Sequence, residues 1–595
     1  MAQSLIEVIL IIALGIGAQW LSWRLRLPAI LLLIMTGIVV GPIMGILRPQ
    51  LLFGHLFFPA VSVSVAIILY EGGLSLKFSE LKKIQSVVWR LTTFTVFLTW
   101  TMIALAAVFF LGFSLNWALL LGAILVVTGP TVIGPLIRSL RLSNRIGSIL
   151  KWEAMLNDPI GAVLAILVYE AITMGGFHQA ASLTILGIIK TILFGSLLGS
   201  VGAWLLTISL KRYWIPDYLQ SAISLMLALV VFGISNMIQH ESGLLAVTLM
   251  GLLLANQRTI DVGHIISFKE NLRVLLISSL FIVLAAHLEL SVIFPIGWRE
   301  VLFILFIIFF VRPVAILLST WRVGISGREK TFLAFMAPRG IVAAAVSSVL
   351  ALELVSAGAY GAERIAGLTF LVVIVTVIFY GLIAPFLARY LGIASPNPQG
   401  VIILGAHKWA RKIGVAIKQE GFPVLLVDSN PGNVLSAHQD GLNAYCGDFL
   451  SDQIIDQLNL DGIGHLLALT PNDSTNSLAA LHFLDFFGRS EIFRLPVMQK
   501  PGAGDHNLSS RTYGRVLFKS EATYTKLNKL FLEQGSVEKV QVLDSFSLDD
   551  FENTYGKEAL ILFVIENKTT LKIVTADRAP HIHSNSELLI LRSKK

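Results

Sequence analysis

The chain has 595 residues, of which 55% are hydrophobic and only 14% charged, against about 25% charged in soluble proteins. A mean hydropathy of +0.77 excludes an ordinary soluble protein and places most of the chain in lipid. The formal charge of +8 reads as a signal of membrane orientation, and no nucleic-acid binding is implied.

Apolar runs of about twenty residues, the length a hydrocarbon core requires, recur from Leu5 to Leu391. About thirteen can be drawn, near 3–23, 28–47, 56–73, 87–111, 117–137, 147–174, 181–209, 218–238, 243–256, 271–289, 300–320, 330–354 and 364–391. The first lacks a basic head and carries Glu7, so it reads as a span and not a secretory signal. Basic residues crowd one set of loops: Arg24 and Arg26, Lys77 to Arg90, Arg138 to Lys151, Lys211 and Arg212, Arg258 to Arg273, Arg322 to Lys330, then Arg389. The alternate loops hold Arg48, Arg299 and Arg364. That asymmetry predicts an N-terminus outside and a cytoplasmic C-terminal part.

Several spans carry polar interruptions. The third ends in "LYEGGLSL", where Glu71 reads either as an acid of a cytoplasmic funnel or as an interfacial residue. The fifth, "AILVVTGPTVIGPLI", has Gly129, Pro130, Gly134 and Pro135 at mid-depth, and the twelfth has Pro338, Arg339 and Gly340 inside its apolar run. Proline removes a backbone donor and glycine tolerates unwinding, so each span is expected to break into half-helices. Paired breaks of this kind point to a substrate site; the competing reading is a pair of kinks that serve packing.

The sixth span, with "EAMLNDPIGAVL", supplies the deciding residues. Glu153 and Asn157 share a helix face, with Asp158 one position round. Asp158 lies too deep to reach the interface, and a buried carboxylate in a span is costly enough to imply a function or a structural polar lock. Arg312, in "FFVRPVAILL", is also deep, and Glu153 is its natural partner. Arg339, at the unwound stretch of span twelve, is placed either to meet freed carbonyls or to help hold the site.

At 394–400, "ASPNPQG", the composition changes to that of a soluble protein. Short apolar runs ("VIILG", "PVLLVDS", "NAYCGD", "HLLALT") then alternate with helical patterns, which argues a parallel, doubly wound sheet. Beyond about Gly502 come a helix near 522–534 and further β-like runs, expected to form a separate α+β lobe. Cys446, the single cysteine, is expected to be a buried small hydrophobe.

The "E-x-x-x-N-D-P" of span six, the T-x-P of span five, the arginine of span eleven and the P-R-G of span twelve together resemble monovalent cation/proton antiporters. The branch is that of the NhaP-type proteins and the animal sodium/proton exchangers. The resemblance covers about 1–391 and implies inverted repeats, two crossing broken helices, a dimerising scaffold and a mobile core. It implies that Asp158 alternately holds a cation or a proton, that Asn157 shapes the site, that Thr128 lends oxygens, and that Glu153 and Arg312 form a structural ion pair. The family's span-five motif is commonly Thr-Asp-Pro, whereas here it is Thr128-Gly129-Pro130. Backbone carbonyls at Thr128, Gly129 or the second break are then expected to supply ligands.

"VIILGAHKWARKIG", Asp428 at the end of the second strand, "YCGDFLSD" and "LALTPNDSTN" are similar to RCK (TrkA-N) domains. That implies an adenine nucleotide or NAD(H) as regulatory ligand near Gly405, His407, Ala410, Asp428 and Asp448, with no obligatory cofactor and no transition metal. Only Gly405 of the glycine fingerprint is intact, and the Cβ of His407 crowds the phosphate path.

The fold expected is thus a polytopic α-helical membrane protein (1–391), a linker (392–399), a Rossmann-like RCK domain (400–502) and an α+β lobe (503–595). The function expected is electroneutral exchange of Na+, with K+ second and Li+ a further candidate, for H+ by a homodimer in a bacterial-type plasma membrane. A gated potassium channel or efflux system competes, although no TVGYG-like filter is present. A membrane-tethered NAD-dependent enzyme also competes, without a catalytic His, Cys or metal cluster to support it.

Overall fold

The computed structural model describes residues 2–592 apart from 26, 141, 174–176, 240, 258–261, 288–295, 357–361, 395–397, 452–457, 459, 461, 498–513, 534, 543–547, 557–558, 579–581 and 583–585. The chain forms two compact units, Met1–Ala394 and Ser395–Lys595.

The first unit is helical, because in lipid every backbone polar group must pair within the protein. Its helices are α1 (Ala2–Leu25), α2 (Ala29–Ile38), α3 (Pro49–Phe53), α4 (Phe57–Leu74), α5 (Phe78–Thr92), α6 (Phe94–Leu111), α7 (Leu115–Val126) and α8 (Pro130–Leu140). They continue as α9 (Asn144–Thr173), α10 (Phe177–Lys211), α11 (Asp217–Ile238), α12 (Ser242–Asn256), α13 (Gly263–Ala286) and α14 (Trp298–Phe306). The last four are α15 (Arg312–Ser319), α16 (Gly327–Ala334), α17 (Ile341–Ser356) and α18 (Glu363–Tyr390). Among the described residues, nine helical segments are long and apolar enough to cross a membrane, and four shorter apolar helices fall on the remaining runs.

Two runs are interrupted where proline and glycine stand. Residues 127–129 separate α7 from α8, and 335–340 separate α16 from α17. Pro130 opens α8, a position where the missing N–H costs nothing. A π turn, Ile307–Val311, joins α14 to α15 just before Pro313, where the proline supplies no backbone donor for a regular α turn.

The second unit contains a six-stranded parallel sheet of order β3-β2-β1-β4-β5-β6. Its strands are β1 (Gly400–Leu404), β2 (Val424–Asp428), β3 (Asn443–Cys446), β4 (Ile463–Ala468), β5 (Ile492–Arg494) and β6 (Arg515–Val516). Strand β1 and the helix α19 (Lys408–Gln419) that follows it are buried on one face against a shared apolar cluster. A four-stranded antiparallel sheet, β7-β10-β8-β9, is built from β7 (Ser536–Gln541), β8 (Leu560–Glu566), β9 (Thr570–Ile573) and β10 (Glu587–Arg592).

Three expectations change here. The Rossmann-like sheet does not end at 502: β6, two residues long and half-buried, completes it, and so short a strand carries no readable period. Nor is the rest a separate lobe, since one apolar cluster runs from Val401 and Trp409 through Phe531 and Leu562 to Leu591. Cys446 is exposed, at the last position of β3, the edge strand. The linker expected at 392–399 includes 395–397, outside the described residues.

Candidate functional site

The two breaks meet. An ideal Cβ built on Gly129 would fall 2.3 Å from the Cα of Gly340, and one on Gly340 would fall 2.4 Å from the Cα of Gly129. Backbone therefore touches backbone, and neither position has room for a side chain. The Gly129 N–H donates to the Pro338 carbonyl at 3.2 Å, and the Arg339 N–H donates to Thr376 Oγ1 at 3.3 Å.

Each half-helix that ends at a break leaves carbonyls without helical partners, and an arginine meets them in both cases. Arg339 Nη1 donates to the Val126 and Val127 carbonyls at 3.0 and 3.3 Å, at the end of α7. Arg312 donates through Nε to the Leu333 carbonyl and through Nη2 to the Met336 carbonyl, both at 3.3 Å, at the end of α16. A cation at a helix C-terminus also offsets the negative end of the helix dipole. The same guanidinium forks onto Glu153, Nη1 to Oε1 at 2.6 Å and Nη2 to Oε2 at 3.0 Å. Glu153 and Arg312 are 1% and 3% exposed.

Asp158 is different. It is fully buried, and neither carboxylate oxygen has a hydrogen-bond partner. Thr128 Oγ1, Thr131 Oγ1 and Asn157 Oδ1 are likewise buried without partners. One turn along from Asp158, Gly161 packs on Val127, the residue that starts the first break; a Cβ there would sit 2.4 Å from Val127 Cγ2. The polar face of α9 is thereby set against the break. Pro159, inside α9, has no N–H for the Met155 carbonyl, which frees a further oxygen in this helix. Buried polar groups without partners are rare in folded proteins, and five oxygens of the type a hard monovalent cation takes lie along these two elements.

Glu71 is not an open funnel acid. It is 4% exposed and bonded through both oxygens to Arg273 Nη1, at 2.7 and 2.9 Å. Sequence reasoning counted Arg273 as a loop cation and missed the pair, since charge counting along loops does not separate cations that fold inward. Thr131 and Thr376 were also missed; nothing in the sequence distinguishes them from ordinary helix threonines.

Residues 9–390 match the family described as sodium/hydrogen exchanger, transmembrane. The chain belongs to the sodium/hydrogen exchanger family. Residues 401–494 match the TrkA-N domain, so this exchanger-family chain carries an RCK-type unit behind its membrane unit. It is 29% identical over 412 residues to the K(+)/H(+) antiporter NhaP2 of Shewanella oneidensis, covering 67% of this chain and 70% of the relative. It is 27% identical over 367 residues to Na(+)/H(+) antiporter 1 of Methanocaldococcus jannaschii, covering 58% of this chain and 82% of that relative. Among solved structures, the sodium proton antiporter MjNhaP1 of Methanocaldococcus jannaschii superposes with a TM-score of 0.57 at 24% identity, covering 65% of this chain and 98% of that one. That likeness establishes the NhaP-like fold of the membrane unit.

In the TrkA-N unit, Gly405 closes β1 at φ +103°, a conformation that favours glycine. Asp428 braces the loop: its Oδ2 accepts from the Ala406 N–H at 2.7 Å and from Asn433 Nδ2 at 2.9 Å, and its Oδ1 from the Asn430 N–H at 2.8 Å. The His407 ring stacks on Tyr524 with centroids 5.2 Å apart and packs edge-on against Trp409 at 4.4 Å. Burial pushes the His407 pKa down to about 4; the nearby Asp428 opposes this and Arg411 adds to it. Gly405, His407 and Asp428 thus lie together at the carboxyl ends of β1 and β2. Ala410 is buried against the sheet, and Asp448 Oδ1 accepts the Leu450 N–H at 3.0 Å in the turn after β3. A glycine bend leading into the N-terminus of α19, whose N-cap His407 makes no side-chain cap bond, fits a phosphate-bearing ligand. Tyr524, which holds the imidazole, was not legible because it lies far along the chain.

Proposed function

We propose that this chain exchanges a cytoplasmic monovalent cation for protons, with Asp158 holding one or the other in turn. The observation that carries the reading is the contrast between buried acids: Glu71 and Glu153 are each neutralised by an arginine, whereas both Asp158 oxygens lack partners beside Thr128 and Asn157 oxygens in the same state. A proton and a cation compete for one carboxylate, and that competition couples their movements. The Thr128 carbonyl completes the ligand set, because Gly340 excludes a carboxylate at 129 and the Gly129 carbonyl, expected from the sequence to be a ligand, already accepts the Val132 and Ile133 N–H groups at 3.1 Å each. Na+ is the first candidate and K+ the second; the relatives' names divide between them. The exchange is of elevator type, in a homodimer whose N-terminus lies outside and whose TrkA-N unit lies in the cytoplasm of a bacterial-type cell.

With Glu153 and Arg312 permanently paired, Asp158 alone titrates, and one proton moves for one cation. In proteoliposomes, Na+, K+ or Li+ added singly is expected to drive proton movement at a rate that an imposed membrane potential leaves nearly unchanged. Failure of all three cations to move protons would refute the exchange reading, and a strong dependence on potential would refute electroneutrality.

The TrkA-N unit is proposed to regulate exchange by binding an adenine nucleotide or NAD(H) between the Gly405 loop, the first turn of α19 and Asp428. Calorimetric titration of a 398–595 fragment, which has its own apolar cores, with AMP, ATP, NAD+ and NADH tests this. Binding at millimolar concentration or below is expected for at least one, and Asp428→Ala is expected to weaken it about ten-fold or more, because it removes the acceptor that braces the Ala406 and Asn430 N–H groups of the loop. No heat with any of the four would reduce the unit to a dimerisation module.

A further inference from the structure

The membrane unit ends in an unusual way. After α18, the chain turns at Gly392, φ +67°, and Ile393 and Ala394 run antiparallel to the loop between α8 and α9. Leu142 and Ala394 form a β-bridge, and the Ser143 N–H donates to the Ile393 carbonyl at 3.1 Å. Leu142, Ile393 and Ala394 also pack on the core of the membrane unit. The segment through which the TrkA-N unit is tethered is therefore bonded to the loop that joins the broken span to the Asp158 helix.

That loop joins α8 to α9 and, through Arg145, meets the start of α16. It leads back into α8, which begins at Pro130, and forward into α9, which carries Asp158 about 21 Å further along a continuous helix. Arg145, in the first turn of α9, donates to the Gly324 carbonyl and lies 3.6 Å from Glu329. Glu329 belongs to the capping box that starts α16, the half-helix entering the second break. A displacement of 393–394 would thus be passed to α8 and α9 through the chain and to α16 through the Arg145 side chain. Interfaces of this kind tend to hold discrete arrangements and so transmit small shifts.

We infer that the bridge between Leu142–Ser143 and Ile393–Ala394 is the link through which the TrkA-N unit acts on the Asp158 site, closed in one ligand state of that unit and open in the other. The inference rests on the proposal that the unit regulates exchange. A ligand bound there alters exchange only by favouring one state of the bridge.

The test uses the full chain in proteoliposomes, reading the cation concentration that gives half-maximal proton movement. Ser143→Pro removes the donor and Ser143→Ala keeps it. The proline variant is expected to shift the half-maximal concentration by about five-fold or more, the lower end of ordinary allosteric coupling, and the alanine variant to leave it at the wild-type value. The second arm places cysteines at Leu142→Cys and Ala394→Cys in a Cys446→Ser background, a pairing that suits the geometry because the two face each other across the bridge. Oxidation is expected to preserve exchange and to remove its response to AMP, ATP, NAD+ and NADH, and reduction to restore it. Ser143→Pro behaving like Ser143→Ala, or a cross-linked protein responding as the reduced one does, would overturn the inference. A wild-type protein that responds to none of the four probes would overturn the regulatory reading instead, and the proline and alanine pair would still decide whether the chain exit bears on the ion site.

Discussion

Asp158→Asn is expected to abolish cation-driven proton movement while leaving a folded, inserted protein. The amide has nearly the shape and volume of the carboxylate, and no ion pair or hydrogen bond is lost, because the Asp158 oxygens make none within the protein. What disappears is the charge that a cation needs and the site that a proton takes. Two measurements separate this from misfolding. The wild-type melting temperature should rise with added Na+ or K+, since a ligand that binds only the folded state stabilises it. That of the variant should be insensitive to either cation and no lower than the wild type without them. Cation-dependent proton movement at the wild-type rate in the variant would remove Asp158 from the mechanism.

Most of this site was legible because lipid makes charge conspicuous: Glu153, Asp158, Arg312 and Arg339 stand out in apolar runs and must be paired, hydrated or functional. The breaks were legible for a similar reason, since proline and glycine punctuate helices locally. What the sequence conceals is which distant backbones touch. At 129 it shows only the absence of a carboxylate; the contact with Gly340 supplies the reason, because a Cβ there would collide with backbone, which cannot move aside. The second duty of Arg312, holding the carbonyls at the end of α16, was hidden in the same way. In the TrkA-N unit the alternation of strands and helices sufficed for the sheet as far as β4, whereas the short β5 and β6 and the Tyr524 stack depend on tertiary pairing that leaves no local pattern.

Arg312→Ala is expected to destabilise the membrane unit by about 3–5 kcal/mol, the usual consequence of stranding one partner of a buried pair. Glu153 would be left at 1% exposure with both oxygens bereft of donors. The Met336 carbonyl just past the end of α16 would lose its arginine donor too, and the Leu333 carbonyl would keep only the Met336 N–H. These two losses can be told apart. Adding Glu153→Leu to an Arg312→Met chain removes the stranded charge and refills the volume, so stability should recover in large part, because apolar replacement of a buried ion pair is often neutral. Exchange should not recover with it, since the Met336 carbonyl next to Pro338 would remain without its arginine donor and the crossing would lose its fixed geometry. Thermal unfolding in detergent measures the first effect and proteoliposome flux the second. An Arg312→Ala protein as stable as the wild type would mean that Glu153 is satisfied without its arginine, by taking up a proton, and the non-titrating role assigned to it would then have to be abandoned.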